Sequence, residues 1–255
     1  MVLSMSPYDF GYSLTWTHAH LVPAALFAGL TACAIWRRWP RLVALLAGLA
    51  SAWALAGFFV VQVLFGANRP MALPTGNFLK AGTGAIIDLG AGSGRSTLMV
   101  LLERPQATVT ALDIYQGYFG IEQNTPDRIR ANARVAGVED RLRVQVGDMR
   151  DIPLADDSFD GAVSAFAIDH LNREGVTKAL SEAHRVLRPG GEFLFVVLKV
   201  DGWVKLAYPL PHGHGYFSGA PPETHWRARL EQAGFDVVEI GSRPATLYLL
   251  AKARQ

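Results

Sequence analysis

One stretch, Asp88-Leu89-Gly90-Ala91-Gly92-Ser93-Gly94, constrains this chain more than any other. It follows an apolar run, Ala85-Ile86-Ile87, and precedes a segment of helical character, Arg95 to Arg104. A strand, a glycine-rich turn and a helix N-terminus in that order make the corner at which α/β folds hold nucleotides. The residues inside it narrow the ligand. A P-loop needs a lysine after its last glycine. Here Gly94 is followed by Arg95, and Leu89 stands where the first glycine belongs. A dinucleotide fingerprint needs a third glycine for close helix–strand packing, and Arg95 occupies that place. An NTPase and a nicotinamide dehydrogenase therefore both fit badly. Glycines let the backbone approach a ligand, and a helix N-terminus favours negative charge on it. Asp88 can meet a cationic group. Asp113, which ends the next apolar run Val109–Leu112, can accept both ribose hydroxyls.

Three later segments extend the pattern in order. Val146-Gly147-Asp148-Met149 follows a third apolar run, Phe159-Asp160-Gly161-Ala162-Val163-Ser164 gives a fourth, and Arg185-Val186-Leu187-Arg188-Pro189-Gly190-Gly191 turns into a fifth. Together with the glycine corner they resemble the class I S-adenosylmethionine-dependent methyltransferases, in particular the branch that includes ubiquinone and menaquinone C-methyltransferases. The resemblance runs from about Ala85 to the C-terminus. It implies a doubly wound, mostly parallel, seven-stranded α/β sheet of Rossmann-like kind. It also implies S-adenosyl-L-methionine as cofactor, with Asp88, Gly90, Ala91, Gly92, Gly94, Asp113, Ile114, Gly147, Asp148 and Met149 around it. Asp148 would bind the adenine amino group and Met149 would lie against the ring. The segment after Asp113 is longer and more aromatic than the family pattern, which makes Tyr115 and Tyr118, with Phe119, candidates to cover the adenosine or face the acceptor.

The N-terminal third has a different character. From Phe10 to Trp36, and again from Leu42 to Ala67, there is no Asp, Glu, Lys or Arg. Each stretch reaches the ~20 residues that cross a bilayer core. Trp16 and Trp36 lie about 30 Å apart at helical rise, which suits an aromatic belt. Small residues recur every four, at Ala24, Ala28 and Ala32 and at Ala44, Gly48, Ala52 and Ala56, a spacing that lets helices pack closely in lipid or pair in a homo-oligomer. The sequence therefore predicts a transmembrane hairpin over 1–67, with helices at about 14–36 and 42–66 joined by Arg37-Arg38-Trp39-Pro40-Arg41. A linker over 68–84 and the methyltransferase domain over 85–255 follow. Arginine-rich turns favour the cytoplasmic side, yet the cofactor is cytoplasmic. We side with the cofactor and place the catalytic domain in the cytoplasm and the protein in the membrane as a multi-pass chain. A signal peptide is disfavoured by the missing charged n-region and the second apolar segment.

A net charge of +2 is too small and scattered for nucleic-acid binding. The single cysteine, Cys33, allows no disulfide framework or cysteine zinc site. Thr125-Pro126-Asp127 starts a helix with a capping hydroxyl, proline at the first position and an acid. Helices over Arg173–Leu187 and Pro222–Ala233, a strand over Glu192–Lys199 and a final antiparallel pair at Phe235–Ile240 and Thr246–Ala251 complete the reading. In doubly wound sheets ligands lie beyond the carboxyl ends of the strands. Two segments land there. In Phe166-Ala167-Ile168-Asp169-His170-Leu171, His170 is a candidate base and Asp169 either orients it or caps the next helix. The loop Val200–Pro222 is rich in aromatics and histidine. His212, His214, Tyr216 and Phe217 there are candidates for an acceptor pocket rather than a metal site. The predicted acceptor is a small molecule or lipid that partitions into the bilayer: a quinone or phenol, a lipid head group, or a hydrophobic thiol or amine. A non-catalytic sensor that only binds S-adenosylmethionine is the alternative.

Overall fold

The computed structural model describes residues 7–66, 68–116, 121–208 and 220–255. These form two compact units, one of residues 12–66, 68 and 200–208, the other of residues 7–11, 69–116, 121–199 and 220–255.

In the first unit a short helix α1 (Leu14–His18) is capped by Ser13, whose Oγ accepts from Trp16 N at 3.1 Å. A turn at Ala19-His20 separates it from α2 (Leu21–Trp36), so the expected first helix is interrupted near its start. Pro40 opens α3 (Arg41–Phe59), which continues as one π-helical segment, Val60–Phe65. Taken with their extensions, Leu14–Trp36 and Arg41–Val63 are each 23 residues, long and apolar enough to cross a membrane.

The seam between α2 and α3 keeps Ala24 of the expected stripes and otherwise differs from them. Ala28, Ala32 and Ala52 are exposed. The buried small residues are Ala24 and Ala34 on α2 and Ala47, Ser51, Ala54 and Gly57 on α3. A strict four-residue stripe drifts around a helix of 3.6 residues per turn, whereas the observed steps of four and three stay on one face. Ser51 Oγ fixes the register by donating to Ala24 O at 2.9 Å. The same unit contains α7 (Gly202–Ala207), started by Asp201, whose Oδ1 accepts from Trp203 N and Val204 N. Ala207 packs with Val60 and Val61, and His20 Nε2 lies 2.5 Å from Ala207 O, which makes the imidazole the donor. The segment read as an extended loop therefore begins as a helix.

The second unit is a seven-stranded sheet of order β3-β2-β1-β4-β5-β7-β6. Its strands are β1 (Thr83–Leu89), β2 (Gln106–Asp113), β3 (Leu142–Val146), β4 (Phe159–Ala165), β5 (Leu187–Leu198), β6 (Phe235–Arg243) and β7 (Thr246–Ala253). All neighbours pair in parallel except β7, which runs antiparallel to β5 and β6. Ile86, Ile87, Asp88 and Leu89 are all buried, the signature of a central parallel strand covered on both faces. The covering helices are α4 (Arg95–Glu103), α5 (Pro126–Val135), α6 (Arg173–Val186) and α8 (Pro222–Gln232). Thr125 caps α5 with Pro126 behind it, as its sequence predicts. Asn172, not Asp169, caps α6, through Gly175 N at 2.8 Å. The main core spans the sheet between α6 and α8, with Phe193, Phe195, Trp226 and Phe235 buried together. Residues 9–11 also lie with this unit: Phe10 is buried, and Asp9 pairs with Asn132 on α5.

Candidate active site

The chain order reverses between β1 and β4, the switch point at which a doubly wound sheet opens a crevice beyond its strand tips. The glycine corner sits there. Gly90, Gly92 and Gly94 have φ of +77°, +53° and +96°, conformations that disfavour any side chain. A Cβ on Gly90 would collide with Ala167 Cβ and come within 2.9 Å of Met149 Cε. The tips of β1 and β4 and the turn after β3 thus converge on one point. The glycine amides are used within the protein, largely by the end of β2. Gly90 N and Ala91 N donate to Leu112 O at 2.9 and 3.1 Å, and Gly94 N to Ala91 O at 2.9 Å. The glycines supply room here, more than donors.

Asp88 ends β1 fully buried. Its Oδ2 accepts from Ser96 Oγ at 2.7 Å and Thr97 Oγ1 at 2.5 Å, both in the first turn of α4. Its Oδ1 is buried and has no hydrogen-bond partner among the described residues. Burial pushes the carboxyl up to about 6, against the two hydroxyl bonds that pull it down, with the charge of Asp113 adding a smaller rise. A buried carboxylate oxygen without a donor suits a cation or a strong donor. The two hydroxyls were missed in sequence, although Ser96-Thr97 follow the corner directly.

Asp113 ends β2. Its Oδ2 accepts from Gly92 N at 2.9 Å, and its Oδ1 from Tyr115 N at 2.7 Å and Asn124 Nδ2 at 3.3 Å. A carboxylate has about four acceptor positions, so capacity for ribose hydroxyls remains. Ile114 is exposed. Tyr115 turns back with φ +50° and packs on Ala91, Ala111 and Ile129. Burial, then Asp113 and Asp88, raise its phenol well above the ordinary value. Gly147 N donates to Asp113 O at 3.0 Å, and a Cβ on Gly147 would meet Leu112 Cδ1 at 2.9 Å. Asp148 is gripped by Arg150, whose Nε and Nη2 reach its carboxylate at 2.6 to 3.0 Å while Arg150 N donates at 2.8 Å. Those bonds hold Asp148 below the usual carboxylate range. Sequence spacing gave no sign of Arg150 as its partner.

Beyond β4, Phe166 adopts φ +53° and leads into a single 3-10 turn, Ile168–His170. Asp169 is buried and its Oδ2 accepts from Leu198 N at 3.3 Å, which ties this turn to the end of β5. His170 presents an exposed edge, yet enough protein surrounds its ring that desolvation lowers its pKa. Tyr118, Phe119, His212, His214, Tyr216 and Phe217 lie outside the described residues. Among the described residues no group of three His, Cys, Asp or Glu could hold a metal ion.

This geometry agrees with the comparisons. Residues 86–191 match the methyltransferase-domain family. The ubiquinone/menaquinone biosynthesis C-methyltransferase UbiE of Methylobacterium nodulans is 36% identical over 110 residues, 43% of this chain and 40% of that protein. The biotin biosynthesis bifunctional protein BioHC of Teredinibacter turnerae is 28% identical over 170 residues, 64% of this chain and 28% of that protein. Human N-acetylserotonin methyltransferase, solved in complex with S-adenosylmethionine, shares the fold with a TM-score of 0.52 at 18% identity, over 82% of this chain and 54% of that one. The chain spans well under half the length of the two curated relatives.

The sheet order, the glycine corner and the family match together define a class I S-adenosylmethionine-dependent methyltransferase fold, whose cofactor is S-adenosylmethionine. Quinone C-methyltransferases are among the curated proteins to which this chain is similar.

Proposed function

We propose that this chain is a membrane-anchored methyltransferase that transfers a methyl group to a small hydrophobic acceptor resident in the bilayer, with a quinone or phenol the acceptor class best supported. The observation that carries the cofactor site is the buried, donor-free Oδ1 of Asp88 at the switch point. A cationic amine there satisfies a buried carboxylate oxygen that has no partner among the described residues. S-adenosylmethionine, when bound, supplies an electrophilic methyl group on a sulfonium. Asp88 holds the amine, Asp113 holds the ribose, and Met149, against Gly90, supplies an apolar wall for the adenine side. Asp148 is preset for an amino group by the bidentate grip of Arg150. Ile114 edges the same site. Positioning and exclusion of water supply most of the rate. His170, neutral at pH 7 because its pKa is lowered, can take a proton from an acceptor that must lose one. Asp169 fixes the turn that carries it.

One feature supports a membrane acceptor: the two apolar helices are long enough to span a bilayer. The names of the quinone-type relatives supply the acceptor class. Calorimetry on the full chain in detergent tests the cofactor: binding of S-adenosylmethionine is expected, and heat with NADH or ATP alone overturns the site. Labelled methyl donor added to membranes, followed by mass spectrometry, tests the acceptor. Label in an isoprenoid quinone or phenol is expected, and label only in protein or nucleic acid overturns the acceptor class. Reporters fused at the Arg37–Arg41 turn and at the C-terminus test the orientation, with a cytoplasmic C-terminus expected.

A further inference from the structure

The mechanism makes no use of the segment ahead of the first helix, yet it is tied to the glycine corner by a buried amide. Asn132, on α5, is 2% exposed. Its Oδ1 accepts from Asp9 N at 2.9 Å and its Nδ2 donates to Asp9 O at 2.8 Å, so the side chain pairs with Asp9 as a neighbouring strand would. The same Nδ2 donates to Ser93 O at 2.9 Å, within the corner itself. Further ties reach the other wall of the site. Glu122 N donates to Gly11 O at 2.6 Å. Next to it, Ile121 Cδ1 lies 3.1 Å from where a Gly92 Cβ would be, and Asn124 bonds Asp113. Arg128 pairs with Asp9 at 3.4 Å and also donates to Glu122 O. Phe10 anchors the segment at 1% exposure.

We infer that Tyr8–Gly11 is a strap that fixes the nucleoside side of the cofactor site, and that Asn132 is the positioning residue through which strap and glycine corner set one another. The inference rests on the reading of the Asp88–Asp113 corner as an S-adenosylmethionine site. A single buried amide holds the corner carbonyl of Ser93 and both backbone groups of Asp9, so order in one is order in the other. A cofactor that fixes the corner then also fixes the strap, and by linkage the strap strengthens the cofactor.

The test uses the full chain in detergent, with S-adenosylmethionine as the probe. Two measurements are made: affinity by calorimetry, and amide hydrogen exchange at residues 8–11. In the wild type, the cofactor is expected to slow exchange at residues 8–11. Asn132→Leu, which keeps the volume but none of the three bonds, is expected to weaken binding about tenfold and abolish that slowing. Phe10→Ala, at the other end of the strap, is expected to weaken binding in the same direction even where Asn132→Leu fails to fold. The double variant should weaken binding by less than the product of the two, because both act through one strap. A purely structural role would lower the melting temperature while leaving cofactor-dependent exchange at the strap intact. That result, or unchanged affinity in folded Asn132→Leu and Phe10→Ala, overturns the strap and leaves the cofactor site standing. Absence of binding in the wild type overturns both.

Discussion

Leu45 and Leu49 on α3 and Leu98 and Leu101 on α4 are the same residue in the same secondary structure, with opposite fates. The first two are 58% exposed each and the second two are fully buried. In the sheet domain, apolar surface closes on apolar surface from neighbouring elements. In the hairpin, Leu42, Leu46, Trp53 and Phe59 join them in facing outward, and what is buried is small: Ala47, Ser51, Ala54 and Gly57. A helix that hides its small residues and displays its large apolar ones is inverted relative to a water-soluble helix and suited to lipid. Charge follows the opposite course. The hairpin helices carry no ionisable acid, whereas the sheet domain buries Asp88 completely and leaves one of its oxygens without a donor. One region spends its burial on close helix contact, the other on a site.

The change that would most disrupt this contrast places charge on the displayed leucines. Leu45→Arg with Leu49→Arg alters no buried contact, so in water it would cost within about 0.5 kcal/mol. In a bilayer each arginine near a helix centre costs about 3 kcal/mol, so the pair is expected to cost about 6 kcal/mol and to prevent insertion. Flotation and alkaline extraction of membranes report the outcome. A variant that stays in the membrane fraction as the wild type does removes α3 as a spanning helix.

The second effect lies in the sheet domain. Burial holds Asp88 at about 6 against an ordinary 3.8. Between those values the folded chain keeps a proton that the unfolded chain has released, so stability falls as pH rises through the window and stays lower above it. The displacement corresponds to about 3 kcal/mol at neutral pH. Asp88→Asn keeps an acceptor for Ser96 and Thr97 and removes the buried charge. Its melting temperature at pH 7.5 is expected to rise by several degrees, while affinity for S-adenosylmethionine falls about hundredfold. Wild-type affinity is expected to decline as pH drops below about 6, where Asp88 takes up its proton. A variant that loses stability and keeps affinity would reverse the roles assigned to the two oxygens.

How far these features could be read in the sequence follows from the range of the interactions. The glycine corner, the acids at the tips of β1 and β2 and the cap at Thr125 are local, set by residues within a few positions, and the sheet places them as the pattern implies. The charge-free runs were legible for the same reason. Side-chain partners escaped, some close in sequence, such as Ser96, Thr97 and Arg150, and others distant. Nothing near Asn132 in sequence announces Asp9, 123 positions away. Nothing near Asp169 announces Leu198. The hairpin seam was misread in part because a fixed interval of four ignores the drift of a 3.6-residue turn, and which face turns inward is set by contacts between the helices such as the Ser51–Ala24 bond. Helix α7 escaped because its six residues are too few to show a period, and its start depends on the Asp201 cap.

A third, smaller effect separates positioning from proton transfer in the sheet domain. Desolvation lowers the pKa of His170, so the imidazole stays neutral to lower pH in the folded chain than in the unfolded one. Its contribution to stability is therefore present near neutral pH and is lost as pH falls below about 6.5. His170→Gln is expected to leave cofactor affinity within twofold and to lower kcat about hundredfold for an acceptor that must ionise. A wild-type rate that persists below pH 6.5 and disappears in the variant supports a base. An unchanged kcat removes that role and leaves Asp169 as the tie between β4 and β5.

The smallest effect belongs to the hairpin and asks what holds its seam. Ser51 Oγ donates to Ala24 O, a carbonyl of α2 that is in position to receive the helical amide of Ala28 as well. Removing the hydroxyl leaves no orphaned donor and only a methylene-sized change in packing. Interhelical side-chain bonds of this kind average about 0.6 kcal/mol in membranes, because the separated helices find other partners in lipid. Ser51→Ala is therefore expected to lower hairpin stability by about 0.6 kcal/mol, measured by steric trapping of the full chain in bicelles. Close packing of Ala47, Ala54 and Gly57 would carry the rest. A loss above about 3 kcal/mol would mean that the hydroxyl leaves a desolvated group behind. The seam would then be held as the Asp88 corner is, by a polar bond in a dry place, and the contrast between the two regions would narrow to the residues they expose.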